Sequence, residues 1–170
     1  MVHPLSMLHH SSVMGPGPQL RATLIGGSIA GTLDILFAIV HAIVNGRTAA
    51  WLLQTVATGI LGQSAYEGGA ATAALGLAAH FVLSLGWAGL FVAAAARRPR
   101  LLGRPYVTGL VFGLVVFLVM RLVVLPLSAF PYPVSVFSKA AGLDLLSHVF
   151  LFAGPIVLAA AKFIPRKEAP

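Results

Sequence analysis

Cysteine is absent from this 170-residue chain, which excludes disulfides, thiolate metal sites and a catalytic thiol. Acid is scarce too: four Asp and Glu stand against eleven Lys and Arg, and charged residues make up only 9% of the sequence. Soluble domains carry about a quarter of their residues as charges, so this chain lacks the means to cover a water-facing surface. GxSxG, GxxxxGK[ST], HExxH and a strand-borne GxGxxG are all missing, so no hydrolase elbow, phosphate loop, zinc-protease helix or dinucleotide site is expected. No internal repeat suggests an inverted-repeat transporter. No reaction is indicated, and the reading leans away from an enzyme.

What is abundant is apolar: 58% of residues are hydrophobic and the mean hydropathy is +0.94. An all-α integral membrane protein follows, with the lipid bilayer as its first partner. A bilayer core of ~30 Å takes about 20 helical residues. Ala22–Val44, Ala71–Ala96, Tyr106–Ser128 and Leu143–Ile164 are long enough, which predicts a four-transmembrane-helix bundle. The formal charge of +7 could suggest nucleic acid, but the basic residues sit at span ends, where membrane topology explains them. Arg21, the Arg97, Arg98, Arg100 and Arg104 loop, and Lys162, Arg166 and Lys167 fall on one side; Arg47 and Lys139 fall on the other. In a bacterium this places both termini in the cytoplasm and the protein in the inner membrane.

Residues 1–20 read as a mobile tail, residues 21–165 as the membrane domain and residues 166–170 as a short C-terminal tail. The tail's His3, His9 and His10 are read as solvated. The first span carries Asp34 mid-length and follows "GPGPQL", so it reads as a retained helix rather than a signal peptide. The first outward loop, Gly46 to Gly69, is too polar and too rich in Gly to span. Trp51, Leu52, Leu53, Val56, Ile60 and Leu61 can line one side of a short interfacial helix there. The second, "SAFPYPVSVFSKAAG", sets Tyr132 between Pro131 and Pro133 with Phe130 and Phe137 nearby, an aromatic cover at headgroup level. Together the two loops suggest a lid.

At about 100° per residue, Gly27, Gly31, Asp34, Ala38 and His41 share one stripe of the first span. Ala73, Gly76, His80 and Ser84 share one on the second, and "GSIAG" and "GLVFG" are GxxxG matches that favour close helix packing. Counted inward from the span ends, His41 and His148 are expected to lie shallow, with Arg121, His80 and Asp34 progressively deeper. Arg121 is costly to expose to lipid, by roughly 2.5–3.5 kcal/mol, so it should face inward. Asp34, the one acid deep in a span, is its expected partner. Asp144 and His148, four residues apart, can hydrogen-bond, with Ser147 adding a hydroxyl. Pro126 and Pro155 cannot donate to the carbonyls of Leu122 and Leu151, so kinks are expected there.

The candidate ligand or proton site is therefore Asp34, His41, His80, Arg121 and His148, supported by Ser84, Asp144 and Ser147. His41, His80 and His148 are also candidate metal ligands, and two of them could hold haem, but no fixed spacing identifies a cofactor. The competing reading is a structural or accessory subunit whose polar groups satisfy one another or a membrane-protein partner, and the GxxxG faces make a homo-oligomer plausible.

"HFVLSLGWAGLFV" from His80, "YVTGLVFGLVVFLVMRLVVLPLSAF" from Tyr106 and "SHVFLFAGPIVL" from Ser147 resemble, in that order, the YagU-type family of bacterial inner-membrane proteins. The resemblance spans little more than half the chain, begins at the second span and leaves out Asp34. Arg121 stands where the family pattern leads one to expect His. It implies an inner-membrane location and says little about activity.

Overall fold

The computed structural model describes residues 17–165, and all regular structure among them is helical. The tail histidines His3, His9 and His10 lie outside the described residues, as do residues 166–170.

Helix α1, Pro18–Val44, starts on a proline, whose missing N–H costs nothing in the first turn. The short helix α2, Ala49–Leu61, is capped by Thr48, whose hydroxyl accepts from the Trp51 N–H at 3.0 Å. Helix α3, Gly69–Arg97, leads through a tight turn at Pro99–Leu102 into α4, Pro105–Leu127, and α5 is Lys139–Phe163. The four long helices are long and apolar enough to cross a bilayer, and the chain is a four-helix membrane bundle. Its exterior agrees: Val40, Val82, Leu90 and Phe150 are exposed, as suits a protein whose solvent is lipid.

The spans differ in extent from those read in the sequence. Both α1 and α5 begin four residues earlier, and α5 starts at Lys139 rather than Leu143 because the Ser138 hydroxyl caps it by accepting from the Ala141 N–H at 3.0 Å. Residues beyond Lys139 therefore lie a turn deeper than expected. Both prolines fall next to widened, π-helical turns, at Met120–Val124 before Pro126 and at Ser147–Ala153 before Pro155. A proline ring crowds the carbonyl four residues back and offers no N–H, and a π turn relieves both problems.

Helix α1 packs against α3 on one side and α5 on another, while α4 leans on α5. Small residues set the distances. A Cβ on Gly31 would lie 2.9 Å from the Ser84 hydroxyl of α3, and one on Gly113 would lie 2.5 Å from Cα of Val149 in α5. Gly109, the other end of "GLVFG", meets nothing within 4 Å, so only half of that motif is a contact. The apolar core gathers toward the arginine-rich end, where Ala22, Ala88, Phe91, Val116, Phe152 and Ile156 meet.

Helix α2 lies across the opposite end. It leaves the end of α1, rests on the first turns of α3, where Gln54 donates to the Gly69 carbonyl at 3.0 Å, and reaches the end of α4, where the Gly59 carbonyl accepts from Ala129 N–H at 3.0 Å. Gln54, Ala57 and Thr58 form its buried face, while Ile60 and Leu61 are exposed. Tyr132 donates from its hydroxyl to that of Tyr66 at 3.3 Å, tying the second loop to the first.

Candidate functional site

Arg121 occupies the π turn of α4, and its guanidinium Nε donates to Oδ2 of Asp144 on α5 at 2.9 Å. Its Nη1 donates to the Ser135 carbonyl at 2.6 Å, and its charge lies over the Phe117 ring, 5.3 Å from the centroid. The partner is thus Asp144 and not Asp34. Two facts explain the correction. Helix α4 leans on α5, not α1. And with α5 starting at Lys139, Asp144 lies ~8 Å and Arg121 ~9 Å from their helix ends, whereas Asp34 lies ~15 Å from its own, at 1.5 Å rise per residue.

Asp144 serves a second partner. Nδ1 of His148, one turn further along α5, is 3.3 Å from Oδ1 of Asp144 and 2.8 Å from that residue's backbone carbonyl. A carbonyl only accepts, so Nδ1 carries the hydrogen and Nε2 is the acceptor nitrogen of the neutral ring. Among the described residues, no hydrogen bond engages Nε2. The ring is held between Phe117 and Phe152, with centroids at 6.1 and 5.8 Å. His148 lies ~13 Å into α5, deeper than the shallow position expected from the sequence.

Asp34 joins from the other side. The buried hydroxyl of Ser147 donates to its carboxylate, bridging α5 to α1 one residue before His148. Asp34, Ser147, His148, Asp144 and Arg121 therefore follow one another across three spans. Ionisable groups in lipid must be partnered or wetted, and here each finds another from this short list.

His80 and Ser84 act elsewhere. Nε2 of His80 donates to the Gly31 carbonyl at 2.8 Å, and the Ser84 hydroxyl donates to the Gly27 carbonyl at 2.7 Å. These bonds hold α3 against α1 where the glycines let the backbones approach. His41 is half-buried near the end of α1, and among the described residues its ring makes no hydrogen bond to the others. The three histidines are not gathered: among the described residues, no cluster of three His, Cys, Asp or Glu side chains is placed to hold a metal ion. Two site members escaped the sequence reading, Phe117 and the Ser135 carbonyl. Phe117 was visible in principle, since it precedes Arg121 by four residues; a backbone carbonyl in a loop carries no sequence signal.

No family model, curated protein or solved structure matches the chain.

Proposed function

We propose that this is a bacterial inner-membrane protein whose Arg121, Asp144 and His148 cluster, joined to Asp34 through Ser147, binds a proton or a small polar ligand between the spans, in a role related to transport. One observation carries the reading: a single carboxylate holds a guanidinium and an imidazole, and that imidazole keeps its Nε2 unengaged. A proton taken up at Nε2 creates a cation whose counter-charge is already in place, and its loss leaves Asp144 still paired with Arg121. The same nitrogen can accept a hydrogen bond from a ligand donor. The excess of Arg and Lys at one end, and the resemblance to the YagU-type family, support an inner membrane with that end in the cytoplasm. The site then lies toward the outside, where Arg121 meets the Ser135 carbonyl of the second loop.

Nitrogen-15 NMR of the histidines in detergent micelles tests this. His148, assigned by comparison with His148→Gln, is expected to gain and lose a proton reversibly in the range where imidazoles titrate, and Asp144→Asn is expected to displace that titration. An imidazole that keeps one state from pH 5 to 9 refutes proton binding at this site.

A second reading has its own support: among the described residues every fully shielded side-chain nitrogen and oxygen has a hydrogen-bond partner, the unengaged Nε2 of His148 not being one of the shielded atoms. A bundle braced in this way suits a structural or accessory subunit of a larger membrane complex. In that case Asp144→Asn destabilises the isolated protein while His148→Gln changes neither its stability nor its response to pH.

A further inference from the structure

At the arginine-rich end, α3 and α4 part to leave an open groove of about 330 Å³, lined by Phe91, Leu101, Val107, Val111, Phe112 and Val115. Val107, Val111 and Val115 are exposed along one side of α4, so the groove opens on the lipid-facing exterior. Its lining asks for nothing polar, because the Thr108 hydroxyl already donates to the Leu101 carbonyl at 2.6 Å. From Val107 to Val115 it follows α4 for ~12 Å, most of one leaflet's share of a ~30 Å bilayer core and so room for much of one acyl chain.

Directly above its mouth runs "RRPRLLGR", residues 97–104, whose arginines are all exposed. Among the described residues, none of Arg97, Arg98, Arg100 and Arg104 pairs with a carboxylate. Topology alone accounts for arginines on this side, but not for an apolar slot beneath them. A cluster of this size beside a span, with an apolar groove below it, has the chemistry that retains an anionic lipid.

We propose that this groove is a binding site for an anionic phospholipid, one acyl chain lying between α3 and α4 and the phosphate headgroup held by Arg98, Arg100 and Arg104. Charge complementarity selects the occupant: an acyl chain fits a zwitterionic lipid equally well, whereas arginines that meet no carboxylate among the described residues favour a net negative headgroup.

Native mass spectrometry of the detergent-purified protein, with phosphatidylglycerol and phosphatidylcholine of matched chains, tests the site. Phosphatidylglycerol is expected to bind at least tenfold more tightly. Each Arg→Gln change at Arg98, Arg100 or Arg104 should weaken that binding by roughly fivefold, the effect of one basic residue near an anionic surface. Val111→Trp fills the groove from the exposed side of α4, and Val107→Trp is a second fill nearer the headgroup; variants scored are those that keep wild-type helicity and monodispersity. Either is expected to lower phosphatidylglycerol binding with the arginines intact. Equal affinity for the two lipids overturns the proposal. So does binding that survives both tryptophans, which would make the loop a nonspecific electrostatic surface, or a groove occupied by a second copy of the chain, seen as a dimer that lipid does not displace.

Discussion

At Asp144 one carboxylate faces two partners at once, the guanidinium of Arg121 and the ring of His148. Asp144→Asn should cost about 1.5–3 kcal/mol, the range for hydrogen bonds to charged groups, discounted toward the lower end because its side chain is 37% exposed. Arg121→Gln should cost a similar amount, and the double variant less than the sum, since each single change already breaks the shared bond. Denaturant unfolding in mixed micelles measures this cycle; strict additivity would mean that the contact contributes nothing. Tyr66 offers a second handle outside the spans. Burial pushes its phenol above the ordinary value of 10.0, outweighing its bond with Thr55. A group whose folded pKa is raised stabilises the fold below its unfolded pKa and loses that contribution as pH rises through the folded one. Ultraviolet titration should therefore show a phenol ionising above the ordinary value, and Tyr66→Phe should remove that late step. The Asp144 to His148 contact was legible in the sequence because four-residue spacing on a helix has one geometric meaning. The partner of Arg121 was not, because it depends on which helices are neighbours and on where α5 starts.

Between elements, stability depends on close approach, and the glycines make that testable. The carbonyl of Leu53 in α2 lies where a Cβ on Gly76 of α3 would be, so Gly76→Ala must push two backbones apart. Gly113→Ala faces the same difficulty against Val149 and the carbonyl of His148. Each is expected to cost about 1–3 kcal/mol, as overpacking does. Gly109→Ala, with nothing to meet, should be neutral or stabilising through better helix propensity. Thermal unfolding of the three variants gives the comparison; equal effects at Gly109 and Gly113 would remove the distinction between motif and contact. Spacing alone marks both glycines of "GLVFG" alike. Which one meets a neighbour is set by the lean of α4 on α5, and that contact falls on the π turn at Ser147–Ala153. The prolines announced irregular helix at both π turns, but the choice of a widened turn over a bend arises from packing that no local sequence window contains.

For the whole molecule, class and span number were the most legible features, since the bilayer imposes length, apolarity and closed backbone bonding on anything that crosses it. The order in which the spans pack was not, because a lipid-exposed face and a helix-packed face are both apolar and periodicity separates them poorly. The way the bundle sits in the bilayer bears directly on the proposed site, whose Arg121 reaches the second loop at the Ser135 carbonyl, on the side opposite the arginine-rich loop. Because the chain has no cysteine, single introduced cysteines report on sidedness against a silent background. Gln63 and Gly103 are both exposed, the first beyond α2 and the second in the α3 to α4 turn at the basic end. In intact bacterial cells a membrane-impermeant maleimide is expected to label Gln63→Cys, and to reach Gly103→Cys only after permeabilisation. The reverse pattern would turn the His148 cluster toward the cytoplasm, so that a proton taken up at Nε2 would come from the cytoplasmic side, and it would set the basic loop against the positive-inside bias that the arginines otherwise obey.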